Sequence, residues 1–257
     1  MTQHLPLAGK KGLIVGIANQ HSIAYGCART IRQLGAELAI TYLNSKAEPH
    51  VRPLAEELDA TLTLPLDVEQ PGQLDRVFAA IREQWGGLDF VIHSIAYCPM
   101  EDLHGRVTDC SLSGFSQAMR VSCYSFIEMA RLAEPLMPNG GTLVTMSYHG
   151  AEKVVEHYNI MGPVKAALES TARYLASELG NQGIRVHAVS PGPLKTRAAS
   201  GIAHFDKLID DAIERAPQNR LVDIDDVGQT VAFLVSDAAR ALTGETLYVD
   251  GGFHIMA

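Results

Sequence analysis

GTLVTMSYHGAEKVVEHYNIMGPVKAALESTARYLASEL, residues 141–179, is the stretch whose reading decides this fold. It opens on an apolar, partly β-branched run, Gly141 to Met146, with the composition of a buried strand. It closes on a helix-patterned segment, Ala166 to Leu179. Between them, Ser147 to Lys165 holds two tyrosines, Tyr148 and Tyr158, and a lysine, just where a strand meets a helix. In open α/β sheets, ligands collect outside the carboxyl ends of the strands. A Tyr and a Lys placed there can do acid and oxyanion chemistry. The lysine's charge is expected to favour the phenolate and lower the tyrosine pKa from its usual value of about 10.

The spacing sharpens this. Short-chain reductases often carry Tyr-x3-Lys, but the position four before Lys165 is Met161, and Tyr158 lies three residues further upstream. On a helix, that Tyr158-to-Lys165 separation corresponds to a rotation of about 700° and a rise of roughly 10 Å, so the two would share a face. Pro163 is comfortable only in a first helical turn. A helix is therefore expected to start between Asn159 and Gly162, with Tyr158 at its mouth. The alternative is a packing tyrosine and a solvated lysine.

Working outward, strand and helix patterns alternate along the chain. Leu13 to Ile17 reads as a first strand, GIANQHSIAYG as a turn, and Ser22 to Leu34 as a helix that Gly35 would cap. Strand, glycine turn and helix N-terminus together suit a pyrophosphate, although the G-x-G-x-x-G fingerprint is missing. Small residues, Ser22 and Ala24, stand where glycines are usual, and a plain strand-to-helix turn is the alternative.

A second strand, Glu37 to Tyr42, ends in Leu43-Asn44-Ser45-Lys46. Neither an acid for a ribose nor a clear basic site for a 2′-phosphate follows, which leaves NADH and NADPH both open. A helix around Glu48 to Leu58 leads to a strand, Thr61 to Leu66, ending in Asp67 and Val68. Asp67 could cap the next helix or accept an adenine amino group. Then come a helix from Gln70 to Trp85 and a strand, Leu88 to Ala96.

The polar connection Tyr97 to Gly114 is long and could cover an active site. A helix from Ser113 to Leu136 precedes the opening stretch. Beyond it lie a strand, Arg185 to Val189, and a rigid turn, Ser190 to Arg197, that contains Thr196. A mobile, partly helical flap over a substrate, Ala198 to Ala216, a helix from Ile224 to Ser236 and a last strand, Thr246 to Val249, complete the pattern. Alternation of this kind predicts one α/β domain, a Rossmann-like, doubly wound parallel sheet of about seven strands with helices on both faces.

Composition narrows the class. With 47 % hydrophobic and 19 % charged residues, the chain can bury a sizeable core. A formal charge of −8 argues against nucleic acid and against a polybasic membrane patch. Cys27, Cys98, Cys110 and Cys123 form no CxxC pair and no metal spacing, so they read as reduced thiols in a cytoplasmic protein. No signal-peptide pattern opens the sequence and no apolar run is long enough to span a bilayer.

GIANQHSIAYG, GAELAITY, HSIAY, MSYHGAEKVVEHYNIMGPVKAALE, PLKTRAASGI and LTGETLYVDGG are the specific pieces of an end-to-end resemblance. The chain resembles the NADH-dependent enoyl-acyl-carrier-protein reductases of type II fatty acid synthesis, a divergent branch of the short-chain dehydrogenase/reductase family. The resemblance implies a homotetramer that reduces trans-2-enoyl thioesters on acyl carrier protein. It also implies cofactor contacts at Gly16, Ser22, Ile23, Leu43, Asp67, Val68, Ile95, Lys165, Leu194 and Thr196. Tyr158 would hold the thioester oxygen, while Tyr148 and Cys98 would line the substrate pocket.

Some positions depart from the family pattern. Leu43 stands in place of a usual Gln, Cys98 in place of Ala, and Pro191 and Arg197 in place of small and aliphatic residues. Ala203 and Asp206 stand where basic residues are usual, although Lys207 remains. These motivate a second expectation, a related reductase acting on other enones or carbonyls. A non-catalytic dinucleotide sensor is the third, disfavoured by retention of Tyr158 and Lys165.

Overall fold

The computed structural model describes residues 5–196 and 205–256. Seven parallel strands form one sheet: β1 (Lys11–Val15), β2 (Glu37–Tyr42), β3 (Leu62–Pro65), β4 (Phe90–His93), β5 (Gly141–Met146), β6 (Ile184–Pro191) and β7 (Thr246–Val249). Their order is β3-β2-β1-β4-β5-β6-β7. The chain thus builds outward from β1 to β3 and then returns to the other side of β1. At this reversal the connections after β1 and β4 leave in opposite directions and open a crevice at the strands' carboxyl ends.

The helices are α1 (Ile23–Gln33), α2 (Glu48–Glu57), α3 (Gln73–Trp85), α4 (Met100–His104), α5 (Leu112–Met119), α6 (Ser125–Ala133), α7 (Met161–Leu179), α8 (Phe205–Arg215) and α9 (Ile224–Val235). One apolar layer packs α1, α2 and α9 on a face of the sheet, around Ile14, Ile31, Ile40 and Val231. The other packs α3, α6 and α7 on the opposite face, around Val91, Phe126, Leu143 and Leu168. Strands buried on both sides explain the near-continuous apolar runs.

Several boundaries differ from the sequence expectation. The fourth strand is shorter than expected, Phe90–His93, although the Ser94 N–H still donates to the Val15 carbonyl of β1 at 2.9 Å. The Gln70 helix begins instead at Gln73, after Gly72 takes a left-handed φ of 75°. Asp67 does not cap it: its carboxylate accepts the Glu69 N–H at 2.9 Å and closes a local turn. The Ser113–Leu136 helix is broken into α5 and α6 by a π turn, Arg120–Tyr124. The Tyr97–Gly114 connection is ordered around buried Asp102, which accepts the Ser111 N–H at 2.6 Å and its hydroxyl at 3.1 Å. Within the proposed flap, Phe205–Arg215 is helical; Arg197 and Ala203 lie outside the described residues.

Candidate active site

The strand ends converge as the alternation demands. Gly16 follows β1 with φ 118°, and a Cβ there would lie 2.1 Å from the Ser94 carbonyl oxygen. Only glycine lets β1 and β4 meet this closely. In the next turn the Ser22 hydroxyl accepts the N–H groups of Ala18 (3.0 Å) and Asn19 (3.1 Å). Ser22 therefore shapes the turn that delivers the N-terminus of α1, whose first residue is Ile23. Leu43, at the end of β2, is 54 % exposed. Asp67 and Val68 follow β3 and Ile95 follows β4, all half-buried. Leu194 is buried, and Thr196 donates its N–H to the Leu194 carbonyl at 2.7 Å.

β5, α7 and the segment between them carry the candidate reactive groups. Tyr158 precedes α7 in a turn where its neighbours His157 and Asn159 adopt φ of 63° and 40°. Such left-handed backbone is costly away from glycine and concentrates at functional positions. The Asn159 side chain donates to the Leu103 carbonyl at 2.7 Å, tying this turn to α4. Tyr158 is buried, with its ring 4.9 Å from that of Tyr148 and tilted by 66°. Leu103, Ala118, Met161 and Val164 surround it, and Cys98 and Val155 pack against the same cluster. Cys98 thus lies on a wall of the tyrosine pocket.

Lys165 overturns the solvated-lysine alternative: it is buried and donates to the Met146 carbonyl at 2.7 Å. Burial pushes its pKa down to about 8, only partly opposed by Cys123 and Glu169. Met146 is the last residue of β5, so the lysine reaches the strand end just before Tyr148.

The expectation that lysine lowers the tyrosine pKa does not hold for the protein alone. Burial raises Tyr158 far above the ordinary phenol value, with Tyr148 and Glu169 adding to the effect. Burial likewise raises Tyr148 to about 12. Desolvation of the phenolate outweighs a lysine already anchored to a carbonyl. Both tyrosines are therefore neutral hydrogen-bond donors at physiological pH.

Three residues not singled out from sequence complete the site. Glu169, one turn beyond Lys165, accepts the Ser147 hydroxyl at 2.5 Å. The Ser122 hydroxyl, in the π turn, accepts the Tyr97 N–H at 3.0 Å and donates to its carbonyl at 3.2 Å. Gly150 packs beneath Tyr158. The i, i+4 relation of Lys165 and Glu169 was the available signal for the first; the other two depend on tertiary contacts.

These features suit a dinucleotide. The Gly16 contact leaves the crevice floor as bare backbone, a helix N-terminus faces it, and Lys165 has N–H bonds beyond the one given to Met146. No cluster of metal-ligating side chains occurs among the described residues. Fold and site together define a Rossmann-type nicotinamide-dependent reductase of the short-chain class.

Comparisons with known proteins narrow the class. The family model described as enoyl-(acyl carrier protein) reductase matches residues 16–254, and the chain belongs to that family. It is 47 % identical over 251 residues to the NADH enoyl-[acyl-carrier-protein] reductase of Aquifex aeolicus, covering 97 % of this chain and 93 % of the relative. It is 45 % identical to reductase 2 of Rhizobium meliloti, covering 96 % and 92 %. The Anaplasma phagocytophilum enzyme, solved in complex with NAD, superposes with TM-score 0.95 at 47 % identity, covering 100 % and 98 %. The Bacillus cereus enzyme, solved with NADP+ and an indole naphthyridinone, gives TM-score 0.96 at 42 % identity, covering 98 % and 99 %.

Proposed function

We propose that this chain reduces the trans-2 double bond of enoyl thioesters carried on acyl carrier protein, using NADH. The observation that carries the reading is the neutral, buried Tyr158 beside Tyr148, on the same strand end that Lys165 grips. Bound NADH supplies the hydride for the β-carbon. Electron density then moves onto the thioester oxygen; the enolate needs a donor, not a strong base, and collapses to the saturated thioester by taking a proton from water at the α-carbon. Tyr158 is kept as a phenol and donates to that oxygen. A preorganised donor of this kind is worth about 2.7–4 kcal/mol.

Lys165 binds the nicotinamide ribose and adds positive charge near the developing oxyanion. Gly16, Ser22, Ile23, Leu43, Asp67, Val68, Ile95, Leu194 and Thr196 line the cofactor's path. Tyr148 and Cys98 border the acyl chain and exclude water. α8 belongs to a flap over the substrate. The homotetramer reading is supported by exposed apolar side chains Leu112, Phe115, Tyr124 and Ile127 along α5, the π turn and α6. The cytoplasmic assignment rests on four free cysteines.

A second reading, a reductase of enones or carbonyls without a carrier, draws on α8. That helix carries Asp206, Asp210, Asp211 and Glu214 against Lys207 and Arg215, an unpromising surface for an acidic carrier. NADH oxidation is measured with trans-2-enoyl-acyl carrier protein beside the same thioester on coenzyme A, and NADPH is run in parallel. Preference for the carrier-bound substrate is expected, with turnover falling by about 100-fold or more in Tyr158→Phe. Turnover of small enones alone would transfer the assignment to the second reading.

A further inference from the structure

α7 grips the end of β5 with two buried charged side chains one turn apart. Lys165 donates to the Met146 carbonyl at 2.7 Å, and Glu169 accepts the hydroxyl of the next residue, Ser147, at 2.5 Å. The Ser147 N–H is itself held by the Val189 carbonyl of β6 at 2.7 Å. Tyr148 follows directly. A carboxylate that is only 5 % exposed is expensive unless its charge has use. Glu169 forms no ion pair within 4 Å among the described residues, so its negative charge acts over a longer range.

We propose that Glu169 is a positioning residue that keeps Lys165 in its ammonium form and fixes Ser147, and thereby Tyr148, at the edge of the substrate pocket. The inference rests on Lys165 binding the cofactor, as proposed above. The groups facing Lys165 support it. His93 on β4 is neutral, its pKa pushed down to about 3 by burial and by Lys165. Cys123 in the π turn is a thiol whose pKa burial raises. Glu169 is the carboxylate among the groups that favour the Lys165 charge. Around Glu169 itself stand Glu152, Arg173 and Lys165, and burial raises its pKa while Ser147 lowers it. The phenols Tyr158 and Tyr248 also feel its charge.

Glu169→Gln removes the charge and keeps an acceptor for Ser147. NADH affinity, followed by nucleotide fluorescence from pH 6 to 10, and kcat/KM over the same range are the readouts. The basic limb of both should move down by about one pH unit, a tenfold change in the proton equilibrium. Values near pH 6 should stay close to wild type, and the melting temperature should not fall. Glu169→Asp retains the charge and should retain the wild-type limb. A Glu169→Gln limb that superimposes on wild type overturns the proposal, as does a Glu169→Asp limb displaced like that of Glu169→Gln. Lys165→Met separates the two claims: if it binds NADH as wild type does, the role given to Lys165 fails, whatever Glu169 does.

Discussion

Gly150 lies so close beneath Tyr158 that a Cβ on it would meet ring atom Cδ1 at 2.5 Å and Cε1 at 2.9 Å. Its carbonyl is equally confined, 2.9 Å from where a Cβ on Gly162 would stand. The 3-10 turn His149–Ala151 therefore serves as a seat for the tyrosine ring, wedged between the strand end and α7.

Gly150→Ala should tilt Tyr158 out of this seat while leaving the cofactor crevice intact. A displacement on the order of 1 Å at a reacting group can cost about 100-fold in rate. Expected is a fall in kcat/KM for the enoyl thioester of about 10- to 100-fold with NADH affinity retained. Steady-state kinetics beside direct NADH titration tests it; unchanged kinetics would show that the ring has room to move.

Gly16→Ala tests the floor of the crevice. The new Cβ would lie 2.1 Å from the Ser94 backbone oxygen, and φ of 118° is strained for any side chain. Backbone cannot swing aside as a side-chain tip would. Destabilisation above about 2 kcal/mol is expected, together with weakened NADH binding. A variant that melts with wild type and binds NADH normally contradicts this geometry.

Burying Lys165 costs stability. Its pKa is about 8 when folded against 10.5 as the ordinary value. Folding therefore carries a penalty that is fully present below pH 8 and fades as pH rises toward 10.5, a window worth about 3 kcal/mol. Lys165→Met should raise the melting temperature of the nucleotide-free protein at pH 7, and the gap should narrow above pH 9. NADH affinity should fall in the same variant. A lower melting temperature at pH 7 would mean that the Met146 hydrogen bond outweighs the cost of burying the charge.

Much of this architecture is legible in the sequence because its strands are short, apolar and spaced by helical periods. The limits of β2, β5 and β7 follow the apolar runs residue for residue. The start of α7 is set by Pro163, which fits only its first turn. Less legible is whatever depends on contact between distant segments. Nothing local announces that Ser122 opens a π turn to hold Tyr97, or that Gly150 must be bare under Tyr158. The ionisation of Tyr158 went the other way from the motif argument for the same reason: spacing places a lysine nearby but says nothing of how dry the site is.

Acid stability tests the buried histidine of β6. His187 is fully buried, and neither ring nitrogen has a well-formed hydrogen bond; the Leu242 backbone is near enough only to favour its charged form slightly. Burial and the neighbouring Arg185 push its pKa down to about 4, against an ordinary 6.5. The unfolded chain therefore takes up a proton below pH 6.5 that the folded chain refuses until about pH 4. Stability from this residue is present above pH 6.5 and is lost as pH falls through that window, by roughly 3 kcal/mol over its full width. His187→Leu removes two unpaired polar atoms at similar volume, so its stability near pH 7.5 should match or exceed wild type. Its advantage should grow on acidification to pH 5, giving a shallower fall of melting temperature with pH. Parallel curves for the two proteins would show that His187 is as easily protonated inside the fold as outside it.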